Sequence, residues 1–439
     1  MRVLRVYHGS RIPAHRVREQ KLVEAGIDVT LAGPSSWPEG VSDLEGDAFR
    51  TVELPVAHEG DVNRHTYRSA EDLRDILADI RPDVLDIHEE PFSVAARQWL
   101  AAAPAGLPVV MYTAQNIDKR FPPPFTQYER AALRRVAAMY PCTAQAASVA
   151  RGKGFAGLIE VLPLGFDQAT FHPGAQAADD HEVVLGLFGR LVPEKGVVDA
   201  VRILARVHAV RPAQLVVVGS GSEEARARSL AAELGVADRL DLLPWQSTGD
   251  LAATCRRTHI VLVPSHGIET WVEQFGRVIV EAQASGAVVG GYRSGSIAEV
   301  AGDAAVLTEV GDVAGLADGI TELLADPAEF VQRRALGLTL SQSRTWTSVA
   351  ERHADLYRRV AAGDVARVQL PRSPRKRREA ARAEFGPTAA SGAGTRPFAL
   401  PLLRRGGTLS TALGSIFDAG AEARAWIGPT VSRDPRSRP

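Results

Sequence analysis

The sequence predicts an α/β protein of two doubly wound domains, each a parallel sheet between helices, facing one another across a cleft. Three observations carry that reading. Short apolar runs alternate with helical stretches from residue 1 to about 165. A stretch rich in proline, glycine and polar residues interrupts the pattern at 166–181, and the same alternation then restarts. At 439 residues, 45% of them hydrophobic, the chain is also long enough to bury two cores.

In the first half, strands fall at 3–7, 28–32, 84–88 and 109–113, each bounded by turn residues. Helices lie between them at 69–80 and at 91–103, the latter opening on Pro91. Strand, helix, strand at this spacing implies right-handed crossovers and parallel pairing. In the second half, strands fall at 183–188, 215–218, 240–243, 260–263, 287–289 and 305–307, with closing helices at 326–338 and 348–360. The expected division is therefore a first domain over 1–165, a linker over 166–181 and a second domain over 182–345. In open parallel sheets ligands bind beyond the carboxyl ends of the strands, which places the expected site in the cleft.

Composition narrows the function. Fifty-one basic residues against 52 acidic give a net charge of −1, which excludes a polycation built to coat nucleic acid. No apolar run approaches the roughly 20 residues that span a bilayer. Residues 1–7 read as a strand with no signal-peptide core, so a cytoplasmic protein is expected. Cys142 and Cys255 are the only cysteines, too few for a disulfide framework. Arginine outnumbers lysine 46 to 5, so each lysine is informative. Residues 367–439 hold 14 basic and 5 acidic residues, and from 362 onward the chain is rich in Arg, Pro, Gly, Ser and Ala. That tail is expected to be largely disordered. Its basic cluster at 372–378, with Leu409, Leu413, Ile416 and Phe417 at helical spacing, offers a second reading: peripheral contact with an anionic inner membrane face.

Three segments carry the chemistry. Gly189-Arg190-Leu-Val-Pro-Glu-Lys195-Gly196 follows a strand and opens a helix, where free amides and the helix dipole attract an anion. Arg190 adds a bidentate donor and Lys195 a point charge. Val216-Val-Val-Gly219-Ser-Gly221 is a buried strand running into a glycine turn that lets backbone approach a nucleotide. Taken singly, each also describes an ordinary strand-to-helix turn. Glu273-Gln-Phe275-Gly276-Arg-Val-Ile-Val-Glu281 carries more weight. Its two carboxylates are separated by seven residues, at most about 12 Å along a helix axis. That span suits one carboxylate at a sugar ring and the other at the ribose of one nucleotide sugar, with the amides at Phe275 and Gly276 facing the diphosphate between them. A fourth segment, Gly295-Ser-Ile-Ala-Glu299, reads as a glycine loop with an acidic helix start. The chain contains no Asp-x-Asp pair, which favours organic cations over a divalent metal at the diphosphate.

Taken in order, Gly-Arg-Leu-x-Pro-Glu-Lys-Gly, Val-Val-Gly-x-Gly, Glu-x-Phe-Gly with the second Glu, and Gly-x-x-x-Glu resemble the family 4 retaining glycosyltransferases of GT-B fold, the glycosyl transferases group 1. The motifs match over about 160–325 and the two-domain layout over about 1–361. The resemblance implies that Arg190 and Lys195 bind the donor diphosphate, with Gly189, Gly219, Phe275 and Gly276 around it. It further implies that Glu273 contacts the transferred sugar, that Glu281 holds the ribose hydroxyls, and that a closing helix at 346–361 crosses back onto the first domain. The family's first-domain histidine is replaced here by Gln115, and the His8-Gly9-Ser-Arg loop has one glycine where many members have two. Gln115 and Gly9 are the acceptor-side candidates, and His88, at the end of a neighbouring strand, is the candidate to replace the missing imidazole.

The implied activity is transfer of a hexose from a UDP- or GDP-sugar to an acceptor hydroxyl with retention, with no cofactor and no metal. The expected acceptor is a glycan or lipid-linked intermediate of glycoconjugate or exopolysaccharide synthesis, with a small soluble molecule as the second choice. The rival readings are a sugar-nucleotide epimerase on the same scaffold, which needs no acceptor, and a non-catalytic sugar-nucleotide-binding subunit.

Overall fold

A computed structural model describes residues 1–38, 47–174 and 182–389. Its first domain holds a seven-stranded sheet in the spatial order Arg50–Leu54, Asp28–Pro34, Arg2–Val6, Val84–Ile87, Val109–Thr113, Ala138–Pro141, Leu158–Ile159. Every neighbouring pair is parallel. The second domain holds six strands, also all parallel: Leu240–Leu243, Ala213–Val218, Val183–Phe188, Ile260–Val263, Val288–Tyr292, Val306–Thr308. Counted along each sheet, both halves begin with the third strand, then the second, first and fourth. The strand order therefore reverses between Arg2–Val6 and Val84–Ile87 in one domain and between Val183–Phe188 and Ile260–Val263 in the other. Loops leaving the two sides of such a reversal splay apart and open a crevice. The crevice in the first domain is bordered by residues 7–12 and 88–93, and in the second by residues 189–196 and 264–276.

Local chemistry sets the element ends. The helix expected from Pro91 begins instead at Val94, because the Ser93 hydroxyl accepts the Ala96 amide and supplies the cap. Ser69, Thr143 and Thr345 cap Ala70–Ile80, Ala144–Lys153 and Trp346–Ala361 in the same way. Three strands of the large first-domain sheet escaped the sequence reading, as did the small antiparallel pair Val56–Ala57 and Thr66–Tyr67. Arg50–Leu54 is an edge strand with a polar, half-exposed pattern, Ala138–Pro141 has only four residues, and Leu158–Ile159 two.

The two chain crossings between the domains lie side by side. Phe166 donates its amide to the Arg344 carbonyl, and Trp346 donates to the Phe166 carbonyl. Phe166 and Phe171, within the expected linker, are buried in the second domain's core rather than solvated. Residues 175–181 of that linker lie outside the described residues. Beyond the crossing, the helix Trp346–Ala361 buries Ala350, Ala354, Leu356, Tyr357 and Val360 against Val3, Leu22, Val84 and Tyr140 of the first domain. Its Tyr357 hydroxyl enters a fully buried polar cluster: it lies 2.8 Å from Arg5 Nη1 and bonds Asp86, while Arg5 pairs with Asp86 and, at 2.9 Å, with Glu19.

The expectation of disorder from residue 362 onward is corrected over 374–385. Pro374–Phe385 is a helix packed on Ala144–Lys153. Ala381 is fully buried, Gly152 leaves room for the Arg378 stem, and Arg151 forms a bidentate pair with Glu384 at 3.0 and 3.1 Å. Arg378 pairs with Asp118 at 2.6 Å, and Ala389 donates its amide to the Asn116 carbonyl. The paired charges and one small apolar contact offset the ordering of a segment whose composition reads as solvated. Residues 409–417 lie outside the described residues. Among the described residues, no helix is long and apolar enough to cross a membrane.

Tyr357→Phe is expected to destabilise the fold by about 1–3 kcal/mol, since it removes one hydroxyl from a dry charge cluster and leaves its partners short of a bond. Urea denaturation measures this; unchanged stability would show that the cluster does not anchor the closing helix.

Candidate functional site

The second-domain crevice is a recess lined by Gly189, Arg190, Lys195, Glu273, Gly276 and Glu281, together with Trp245 and Arg277. Six residues singled out from sequence thus meet in one place. Loop geometry brings them there. The first strand delivers Gly189 and Arg190, and the turn Pro193–Lys195 then presents Lys195 just before the helix Val197–His208. Gly276 ends the 264–276 loop and starts the helix Arg277–Ala284.

Glu273 is held by several segments at once. Its Oε2 accepts Lys195 Nζ at 2.8 Å and the Ser265 hydroxyl at 3.2 Å. Its carbonyl accepts the Ser296 amide at 2.9 Å and Asn116 Nδ2, from the other domain, at 2.8 Å. Gly295, at φ +55°, is required here: a Cβ would sit 2.1 Å from the Glu273 carbonyl oxygen. Lys195 Nζ also lies 4.9 Å above the Trp271 ring. Lys195 therefore holds Glu273 as well as facing the recess, a pairing that the sequence did not disclose.

Glu281 is 1% exposed, and neither carboxylate oxygen has a hydrogen-bond partner; Arg277 Nη2 lies 3.6 Å from one of them. Burial pushes its carboxyl up to about 7, with Arg277 opposing the rise. Such a group is suited to accept hydroxyl donors that enter the recess. The Nε of Arg190 is likewise buried without a hydrogen-bond partner.

Two expected donor-side residues do not line the recess. Gly219 has a loop-packing role: its Cβ would fall 1.9 Å from the Gly189 carbonyl oxygen, so glycine permits the two loops to touch. Phe275 turns its ring into the second domain's core, leaving only its backbone toward the loop.

The first-domain crevice is lined by Tyr7, His8, His15, Arg18, Asn63, His88, Glu89, Glu90, Gln115 and, from the second domain, Gln274 and Arg277. Glu89 accepts His8 through its amide at 2.7 Å and its Nδ1 at 2.8 Å, which leaves His8 Nε2 buried without a partner. Gln115 is 5% exposed and its Oε1 also lacks a hydrogen-bond partner. Glu90 accepts the Thr113 hydroxyl and the Ala114 amide, each at 2.8 Å, yet burial still raises its carboxyl to about 7. Gly9 does not line the crevice; it sits in a turn against the Tyr7 ring.

His88 does line it, but as a weak proton acceptor. Its ring is wedged between Tyr7 and Tyr112, and its Nδ1 lies 3.1 Å from the Tyr140 hydroxyl. Burial, then the charges of Arg18 and Arg5, drive its pKa well below the usual histidine value. Its neutral form is favoured, and the imidazole makes a polar wall of the crevice. Tyr67 and Trp271 are buried and line neither crevice.

The two crevices meet where a cluster of bonds around Glu273 and Ser296 joins the domains. Gln274 Nε2 donates to the Ala114 carbonyl at 3.1 Å, and Asn116 Nδ2 to the Ser296 hydroxyl at 3.2 Å. Gln145 Nε2 donates to the Gly295 carbonyl, and Glu299 reaches across to accept the Ala144 and Gln145 amides. Glu299, expected to complement its own helix, caps a helix of the other domain instead.

Glu281→Gln is expected to stabilise the protein in a pH-dependent way. The folded carboxyl titrates near 7 and the unfolded one near 4.5, so the wild type loses stability as pH rises between those values. The variant's advantage should be absent at pH 4, grow through pH 5–7, and level off at up to about 3 kcal/mol above pH 8. Denaturation across pH measures it; a pH-independent difference would contradict the burial of that charge.

Comparison with known proteins gives a consistent picture. The family model for glycosyl transferases group 1 matches residues 168–337, and that for a glycosyl transferase 4-like domain matches 19–165. A D-inositol 3-phosphate glycosyltransferase of Stackebrandtia nassauensis is 29% identical over 374 residues, covering 76% of this chain and 82% of that one. One of the same name from Mycobacteroides abscessus is 32% identical over 248 residues, about half of each chain. Among solved structures, sucrose-phosphate synthase from Thermosynechococcus elongatus superposes with a TM-score of 0.65 at 20% identity, covering 83% of this chain and all of that one. An Anabaena protein in complex with UDP superposes at 0.62 with 17% identity, covering 81% and 99%.

Proposed function

Given that the chain belongs to the group 1 glycosyltransferases of GT-B fold, we propose that it moves a hexose from a UDP- or GDP-sugar to an acceptor hydroxyl, with retention of anomeric configuration and without a metal ion. The observation that carries this reading is the meeting of Arg190, Lys195, Glu273 and Glu281 in one recess at the strand-order reversal. Glu281 receives the ribose hydroxyls, to which its unpartnered carboxylate offers acceptors. Arg190, Lys195 and the amides opening the helix at 277 face the diphosphate. Glu273, ion-paired with Lys195, stands at the transferred sugar.

The barrier is departure of a diphosphate while positive charge grows on the sugar ring. Fixed cations and amides in a crevice that excludes water stabilise the departing charge without reorganising. The leaving phosphate takes the acceptor's proton, so no side-chain base is needed. That fits a first-domain wall of neutral His88 and uncharged Gln115, which bind and orient rather than relay protons.

The acceptor side favours a small polyhydroxylated molecule. Its buried His8 Nε2 and Gln115 Oε1 await hydrogen-bond partners, and the domains are bonded to each other beside the cleft. The relatives named D-inositol 3-phosphate glycosyltransferase point the same way. A glycan or lipid-linked acceptor is the second reading, favoured by the exposed Arg372, Arg375, Lys376 and Arg382 at and on the last described helix, a surface suited to an anionic membrane.

The test is nucleoside diphosphate release from UDP-, GDP- and ADP-hexoses, with and without inositol phosphates and free sugars, in the presence of EDTA. Release should require an acceptor, survive EDTA, and yield a product whose anomeric coupling matches the donor's. Conversion of the donor with no acceptor would establish an epimerase instead, and binding without turnover a sensor.

A further inference from the structure

Arg277 is the residue shared by the two crevices on the helix that carries Glu281. It is the first residue of that helix, and it lines the second-domain recess with Arg190 and Lys195 as well as the first-domain cleft with Tyr7 and His15. Its side chain is 18% exposed, and its Nη2 is 3.6 Å from Glu281. On the other side its charge reaches across the cleft: after burial, Arg277 is the largest influence lowering the His15 imidazole. The guanidinium therefore stands where the donor recess ends and the acceptor cleft begins.

Charge balance gives that position a meaning. The donor diphosphate brings two negative charges. Lys195 is ion-paired with Glu273 at 2.8 Å, so the two largely cancel, and Glu281 adds partial negative charge near pH 7. Arg190 and the helix amides then face a dianion with little other net positive charge from Lys195. Building on the nucleotide-sugar reading above, we propose that Arg277 binds the phosphate next to the transferred sugar and is a catalytic residue of the transfer. In that step the bond from the anomeric carbon to the phosphate oxygen breaks with its electron pair going to oxygen. The acceptor oxygen bonds the same carbon, and its proton passes to the leaving phosphate. A guanidinium offers a planar fork to two phosphate oxygens and strengthens its hold as their charge grows. Its place between the recesses lets it follow that charge without leaving Glu281.

The experiment is calorimetry of Arg277→Leu and Arg277→Lys beside the wild type, using UDP, GDP and ADP and then the matching nucleoside and monophosphate of whichever diphosphate binds. Because Arg277→Leu also strips Glu281 of its neighbouring cation, the nucleoside is the control that uses Glu281 and no phosphate. Diphosphate affinity should fall about 10- to 100-fold in Arg277→Leu and less in Arg277→Lys. Nucleoside affinity should stay within about threefold, and the transfer rate at saturating donor should fall further than donor affinity does. Equal loss for nucleoside and diphosphate, or diphosphate binding unchanged in Arg277→Leu, would overturn the assignment while leaving the donor reading standing. A wild type that binds no diphosphate would overturn both.

Discussion

The site depends on how one loop carboxylate is fixed. Glu273 lies in a segment with no regular structure, yet its side chain is 2% exposed and its position is set by groups from both domains. Lys195 and Ser265 hold the carboxylate; Ser296 and Asn116 hold the carbonyl; Gly295 gives the carbonyl room. A buried carboxylate this constrained is matched by the cation against it, and breaking such a pair leaves an uncompensated charge in a dry place. Because Asn116 comes from the first domain, the placement of Glu273 is coupled to the approach of the two domains. Separating them removes a donor from that loop as well as opening the cleft.

The rest of the architecture serves that approach. Two parallel sheets with the same strand-order reversal put loop-borne side chains at facing edges, and the paired crossings at Phe166 and Trp346 keep those edges opposed. The closing helix is then fastened to the first domain through Tyr357 and the Arg5–Asp86–Glu19 cluster. A polar cluster at this depth is a poor source of net stability, but it defines register, because only one docking position satisfies it. The helix Pro374–Phe385 adds a second fastening. Through Arg378–Asp118 and Ala389–Asn116 it braces the loop that reaches Glu273.

Much of this was legible in the sequence because it is local. Buried strands at 183–188 and 260–263 appear as continuous apolar runs, and turns after them mark the loops that line the recess. Gly189, Arg190, Lys195, Glu273, Gly276 and Glu281 come together because they follow two neighbouring strands at the strand-order reversal. What was missed is non-local. Arg277 sits inside a segment already singled out, but its importance comes from facing both crevices, which one helix cannot reveal. The His8–Glu89 pair joins residues 81 apart, and nothing in either loop announces the other. His88 carried chemical promise as a residue type, and only its three-dimensional surroundings of Arg18, Arg5 and aromatic rings reveal a depressed basicity. The helix at 374–385 hid in an arginine-rich composition, and two of its charges meet partners, Asp118 and Arg151, far away in the chain.

The central claim is that the second domain alone binds the nucleotide while the first domain presents the acceptor. Calorimetry of UDP and GDP with Lys195→Ala and Glu281→Ala set against Gln115→Ala and His88→Ala tests it directly. The account predicts that one nucleotide binds the wild type, that the two second-domain variants lose at least about tenfold in affinity, and that the two first-domain variants bind it like the wild type. Loss of nucleotide binding in the first-domain variants with retention in the second would contradict the account.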